Sequence, residues 1–278
     1  MLETAPTFRL ATLNLLHNRE SLEERVDLVI EELKAIQPDA LCLQEVLELP
    51  DFNILKRINS ALGWKGGYRG RVKVSADESH GNAILAKQPL TKIHDLDSNP
   101  QANEVENIAA SLIHGGKLIH LLSVHFPWGS QKEFIRAQHA YQISDHVQLL
   151  HQVNPESLSL LAGDFNSGEE SDTLRFMNGL SFYQEKSTFW TDAWDVAGQE
   201  NNWATTRIDT EFAISTAKSV GIRYPHLMPT RRIDYIKSFG WNYGQPGHPT
   251  KMERWADSEG HNGLTISDHY GLYADFLL

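Results

Sequence analysis

The sequence predicts an α/β (α+β) layered fold, and three patterns predict it. Apolar runs of strand length recur at residues 8–14, 39–45, 117–125 and 157–163. Longer stretches between several of them repeat their apolar residues about every 3.6 positions, as helices do. A glycine pair, Gly115-Gly116, separates two strand candidates and signals a hairpin. Strands and helices mixed in this way bury their apolar faces by stacking in layers.

Taken in order, residues 8–14 read as a buried strand. Ser21, with Glu24 three positions on, has the form of a capping box. Leu22, Val26, Val29, Ile30, Leu33 and Ile36 then mark one face of a helix that Pro38 ends. Residues 39–45 give a second strand, and Asp51 is expected to cap a short helix to about Leu62. From 68 to 125 strands and turns prevail, the best strands being 81–87, 107–114 and 117–125. Residues 132–152 read as a helix with Phe134, Ala137, Tyr141, Val147 and Leu150 near one face, and His139, His146 and His151 on a solvated one. A strand at 157–163, a helix at 169–179 and strands at 231–238 and 271–278 complete the pattern. Two polar, irregular stretches, 198–229 and 243–263, are expected to form the rim of a substrate site, since long loops in compact domains are commonly functional. No internal repeat or low-complexity linker interrupts the chain, so 1–278 reads as one domain.

Composition bounds the function. With 278 residues, 41% hydrophobic and 22% charged, the chain can bury a core without covalent staples. Its one cysteine, Cys42, excludes an internal disulfide or a multi-cysteine zinc site and fits a reducing, cytoplasmic setting. No signal peptide and no transmembrane segment are expected, because no apolar run approaches the roughly 20 residues a span needs. The net charge of −11 repels polyanions at long range, which counts against tight, sequence-independent nucleic-acid binding but leaves room for a local basic groove.

Several apolar runs end in a residue able to bind metal or phosphate: Asn14, Gln44-Glu45, His125, and Asp164 with Asn166 beyond Gly163. Strand tips are where layered proteins hold ligands, because the rigid sheet fixes the loop. Singly, each has a plainer reading, as a turn former, a solvated carboxylate or a core histidine. Asp234 lies inside an apolar strand, where an unpaired carboxylate is costly. It pairs either with Arg231 or Arg232, or with the ring proton of His269. Asp268 and His269 are neighbours and on a strand would face opposite ways.

Seven motifs in order give these tips a common meaning. Thr12-Leu13-Asn14, Leu43-Gln44-Glu45-Val46, Gly81-Asn82-Ala83-Ile84-Leu85, Ser123-Val124-His125, Gly163-Asp164-Phe165-Asn166, Arg232-Ile233-Asp234-Tyr235 and Ser267-Asp268-His269 together resemble the exonuclease–endonuclease–phosphatase superfamily. The superfamily includes DNase-I-like nucleases, deadenylases, neutral sphingomyelinases and tyrosyl-DNA phosphodiesterases. The resemblance implies a four-layer α/β/β/α sandwich of two packed mixed sheets with the site at one end. It implies Glu45 as the main ligand of Mg²⁺ or Mn²⁺, with Asn14 and Asp268 beside the same ion. Asp164 would orient or deprotonate the attacking water, and Asn166 would hold that water or the phosphate. His125 and His269 would stabilise phosphate charge, with Asp234 aligning His269. Asn82, Trp128 and Arg136 fall in segments that face substrate in relatives; a packed aromatic and an exposed helix residue are the alternatives for Trp128 and Arg136.

The implied activity is metal-dependent hydrolysis of a phosphodiester in a lipid, a small molecule or a nucleic acid. A DNA or RNA endo- or exonuclease, including one of DNA repair, is the alternative. A catalytically silent binding module is the alternative of another class, disfavoured because silent relatives lose metal or water-positioning residues that this chain keeps. The 13 histidines show no spacing typical of zinc motifs, and no obligate protein partner is evident.

Overall fold

Strand β1 (Thr7–Asn14) is apolar on both faces, and that property sets the architecture. Phe8 and Leu10 point to one side and Ala11 and Leu13 to the other, as the two-residue period of a strand requires. A strand of this kind must be covered twice. In the computed structural model, which describes residues 6–70, 72–73, 79–96, 107–199 and 201–278, one face meets a second sheet and the other meets helices.

The chain proceeds from β1 through α1 (Leu22–Ile36), β2 (Ala40–Leu47), α2 (Ile54–Leu62), β3 (Gly66–Arg69), β4 (Val72–Lys73), β5 (Ser79–Ala86) and β6 (Lys92–Leu96). A hairpin of β7 (Asn107–His114) and β8 (Lys117–His125) follows, then α3 (Glu133–Val153), β9 (Leu158–Asp164), α4 (Asp172–Met177), β10 (Trp190–Asp192) and α5 (Ala193–Ala197). The last part holds α6 (Glu211–Ser219), β11 (Asp234–Phe239), β12 (Pro249–Trp255) and β13 (Gly271–Leu277).

One sheet runs β12-β13-β1-β2-β5-β3, with β4 paired to β5, and the other runs β10-β11-β9-β8-β7-β6. Both are mixed: β1–β2 and β8–β9 are parallel and the other pairs antiparallel. Phe8, Leu10, Cys42 and Ile84 of the first sheet pack on Ile108, Leu121, Leu160 and Ile236 of the second. Val26, Val29 and Leu33 of α1 cover Leu13, Leu41 and Leu43. Ala140, Ile143 and Val147 of α3 cover Leu122, Val124 and Leu161. The result is the α/β/β/α sandwich, with β1 and β9, both ending at the same edge, near its middle.

Several local expectations are corrected. Ser21 has φ 49° and caps nothing with its side chain, so the capping box does not form; Glu24 accepts instead from the backbone N–H of His261. The short helix is capped by Asn53, which accepts from Lys56 N at 2.8 Å, not by Asp51. Phe134 is exposed, whereas His139 is buried with Arg136 and Ser144 on the face of α3 that meets the sheet. The expected helix at 169–179 is confined to α4. The stretch 198–229 contains α6, and 243–263 contains β12, an edge strand with a register shift between Pro249 and Lys251. Within 68–125, residues 71, 74–78 and 97–106 lie outside the described ones. Among the described residues no helix is long and apolar enough to cross a membrane.

Candidate active site

Backbone geometry at three strand ends aims the polar tips at one point. At Gly163 (φ 149°) a Cβ would stand 1.9 Å from the carbonyl oxygen of Val124, so only glycine lets β9 approach β8 this closely before Asp164. At Glu45 the backbone turns to φ 56°, and the β2–β5 register shifts between Leu43 and Val46. This bulge breaks the in–out alternation and re-aims the glutamate. Asn166 also has a left-handed φ of 50°, which asparagine tolerates better than most residues.

Asp164, almost fully buried, is the hub. Its Oδ2 accepts from Asn14 Nδ2 at 3.1 Å and Asn166 Nδ2 at 3.2 Å, while its Oδ1 accepts from the Asn166 backbone N–H at 2.7 Å. The ring nitrogens of His125 and His269 stand 3.6 and 3.9 Å from the same Oδ2. Glu45 Oε1 accepts from Asn14 Nδ2 at 3.0 Å and lies 3.7 Å from His125 Nε2. His269 Nδ1 donates to Asp234 Oδ2 at 2.9 Å, so of the two partners open to Asp234 in the sequence the histidine is the one it takes. Arg232 pairs instead with Asp192, Glu169 and Asp195. The segment 267–269 is anchored by Ser267, whose hydroxyl donates to the Asn14 carbonyl at 2.7 Å. Residues from the ends of β1, β2, β8, β9, β11 and the turn before β13 thus converge.

The charges are held unevenly. Burial raises the Glu45 carboxyl, but the hydrogen bond from His17, the charges of His125 and His17 and the Asn14 amide outweigh it, leaving Glu45 well below the usual carboxylate range. Burial, and then the Asp234 carboxylate, push Asp164 up to about 6 against the pull of His269 and His125. Burial alone would lower His269, yet Asp234 as charge and acceptor, with Asp164 and Asp268, carries it well above its ordinary value. Burial also raises Asp268, with His269 opposing and Glu45 adding to it. The site therefore pairs an ionised glutamate with an imidazolium and with an aspartate poised near neutral pH.

The arrangement suits a divalent cation. Ligand atoms of Asp164, Asp234 and His269 lie within 4.8 Å of one another, and Asp234 Oδ1 is buried without a hydrogen-bond partner. The Glu45 carboxylate adds a hard oxygen donor of the kind Mg²⁺ or Mn²⁺ prefers, while Asn14 turns its Nδ2 to Glu45 and Asp164 and its Oδ1 to the Leu16 N–H.

The three expected substrate contacts sit differently. Trp128 is exposed on the loop after His125. Arg136 is buried, and its Nη1 donates to the Pro127 and Gly129 carbonyls at 2.8 and 2.7 Å, so it holds the loop that presents Trp128. Asn82 is buried between the sheets and donates to the Ser123 carbonyl at 3.1 Å.

Several contributors lie outside the sequence expectation. Asn107 Oδ1 accepts from the His125 backbone N–H at 3.0 Å, and its amide donates to His139 Nδ1 at 3.1 Å. Thr205 Oγ1 accepts from the Ile233 and Asp234 backbone N–H groups. Thr205 and Arg207 also pair through their backbones with Tyr270 and Asp268, so the front of the 198–229 stretch straps the site. By contrast, Gly247 pairs with Leu277 at the far end of the sandwich, which removes the front of 243–263 from the rim. Arg25, buried, donates to the carbonyls of Leu15, Leu16, Asn18 and Ile266 and clasps the loop after β1. Its position three residues after Leu22, on the apolar face of α1, was the available signal.

A sequence model described as the Endonuclease/Exonuclease/phosphatase family matches residues 11–269. No curated protein matches the sequence. Among solved structures, truncated Caenorhabditis elegans TDP2 superposes with a TM-score of 0.73 at 19% identity, covering 98% of each chain. D. rerio TDP2 complexed with a single-strand DNA product gives 0.72 at 17% identity, covering 97% of this chain and 98% of that one. The human Nocturnin catalytic domain with bound sulfate gives 0.66 at 20% identity, covering 98% and 93%. These likenesses establish the shared DNase-I-like fold.

Proposed function

Because the chain belongs to the endonuclease/exonuclease/phosphatase family, we propose that it is a Mg²⁺- or Mn²⁺-dependent phosphodiesterase. The observation that carries this reading is the Asp164 hub, where Asn14, Asn166, His125 and His269 converge on one buried carboxylate beside Glu45. Glu45 and Asn14, with Asp268 at their side, would hold the ion. When bound, the ion supplies Lewis acidity toward the phosphate oxygens.

The protein's own groups divide the remaining work. Asp164, raised to about 6, is suited to accept a proton from an attacking water near neutral pH. Asn166 holds the geometry of Asp164 and offers its amide to that water or to the phosphate. His269, kept protonated by Asp234, donates toward the charge that develops on phosphate oxygens, and His125 lines the same point from β8. No covalent nucleophile is needed; Cys42 is buried between the sheets.

For the substrate, the structural likeness to a TDP2 bound to single-strand DNA product favours a nucleic-acid phosphodiester with a single-stranded or frayed end. The −11 net charge supports a confined binding track over broad duplex binding. Lipid or small-molecule phosphodiesters form the second reading, favoured by the exposed Trp128 beside His125. The test sets single-stranded oligonucleotides, supercoiled plasmid, lysophospholipid and sphingomyelin diesters side by side with Mg²⁺ or Mn²⁺. Preferential cleavage of the oligonucleotide supports the first reading, and cleavage of the lipid diesters alone replaces it with the second.

A further inference from the structure

A second oxygen of Glu45 is engaged by a histidine that lies outside the seven motifs quoted above. Glu45 Oε1 faces Asn14 and His125 inside the site, while Oε2 meets the Nδ1 of His17. The His17 backbone N–H donates to the same oxygen at 3.0 Å. The His17 ring stacks on His80, with centroids 4.7 Å apart and planes 19° apart. His80 is itself buried in β5, opposite Leu47 and next to the bulge that aims Glu45. Arg25 clasps the carbonyls of Leu15, Leu16 and Asn18 on both sides of His17, so the backbone of this histidine is fixed. Backbone and partner oxygen are therefore set, and the stack on His80 restrains the half-exposed ring.

We propose that His17 completes the metal position at Glu45 as an imidazole ligand, which shifts the site's preference from Mg²⁺ toward first-row transition dications. The inference rests on the metal-dependent reading above. Two neighbouring ligands of an octahedral ion, each ~2.1 Å from it, lie about 3 Å apart. The His17 Nδ1–Glu45 Oε2 contact reaches that spacing by a small rotation of a ring that is half exposed. Ligation uses the tautomer of His17 whose Nδ1 carries no proton, because only the unprotonated nitrogen can ligate. Imidazole nitrogen suits transition dications, whereas Mg²⁺ prefers an all-oxygen shell. A histidine that merely hydrogen-bonded Glu45 would strengthen both kinds of ion alike.

Mn²⁺ is the probe, because its electron spin reports directly bound nitrogen. Mn²⁺ is titrated into the wild type, His17→Gln and Glu45→Gln, and each complex is read by pulsed electron paramagnetic resonance, with Mg²⁺ competed against the signal. The expected result is a ¹⁴N coupling in the wild type that disappears in His17→Gln. Mn²⁺ affinity should fall by about tenfold or more in that variant, while Mg²⁺ affinity changes less than about twofold. Binding that needs Glu45 but shows no nitrogen coupling, or a coupling that persists in His17→Gln, overturns the role of His17 alone. Absence of Mn²⁺ binding, or binding that ignores Glu45→Gln, overturns the metal reading and this inference with it.

Discussion

Asp234 and His269 are joined by a 2.9 Å hydrogen bond from Nδ1 to Oδ2, although 35 residues separate them in the chain. The bond fixes which ring nitrogen faces Asp164, since the proton on Nδ1 is committed to Asp234 and Nε2 is left toward the site. Asp234, as charge and then as acceptor, leads the influences that raise the His269 pKa against burial, ahead of Asp164 and Asp268.

Replacing Asp234 by Asn should therefore act through His269. Its imidazole should titrate at lower pH than in the wild type, and turnover should fall roughly 10²–10⁴-fold. Histidine NMR titration beside steady-state kinetics checks both. An unchanged His269 titration would mean that the raised value has another source.

The buried cluster behind the site should govern stability. Lys237 and Arg232 meet on Asp192 at 2.7 and 3.1 Å, and all three side chains are almost wholly buried. Asp192→Asn leaves two cations without their shared partner, and a loss of about 3–5 kcal/mol is expected. Urea unfolding measures it. The charges of Lys237 and Arg232 hold Asp192 below its ordinary 3.8 despite burial, so its contribution is present above that value and lost as pH falls through the lower folded one.

His139 should set a second acid limb. Burial lowers its pKa from 6.5 to about 4, so it is neutral in the folded protein at pH 7. Between pH 6.5 and about 4 the unfolded chain binds the proton that the folded one refuses. Stability should thus be complete above 6.5 and decline toward 4, and His139→Gln should flatten that part of the profile. Unfolding midpoints measured across this range decide it.

Much of this fold is legible because its strands are apolar on both faces, and the site is legible because its residues end those strands. Asn14, Glu45, His125 and Asp164 each stand at or near the tip of a largely apolar run. What the sequence hides depends on polar residues that are buried or on pairings made late in the chain. The buried face of α3 carries Arg136, His139 and Ser144, which obscure its period. β12 lies at a sheet edge, with Thr250 exposed beside a register shift, so its alternation is broken. α6 buries only Ala217, leaving Thr210, which caps it by accepting from Ala213 N at 3.0 Å, as its one clear mark. His17 reaches Glu45 from a loop that Arg25 clasps, a contact with no periodic signature.

Arg136 illustrates the difference between facing substrate and positioning what does. Because its guanidinium holds the Pro127 and Gly129 carbonyls, Arg136→Ala should loosen the loop that displays Trp128. KM is expected to rise several-fold with a smaller change in kcat, the pattern of lost binding without lost chemistry. Equal falls in kcat and kcat/KM would instead place Arg136 in the chemical step.

Hydrolysis of a chromogenic phosphodiester, bis(4-nitrophenyl) phosphate, by the wild type, Asp164→Asn and His269→Ala, with Mg²⁺, with Mn²⁺ and with chelator, measures whether the Asp164 hub performs metal-dependent catalysis. Turnover is expected to require the metal and to fall by roughly 10²–10⁴-fold in each variant, with all three proteins folded by circular dichroism. Equal rates in the three proteins, or a wild-type rate that survives chelation, would contradict it.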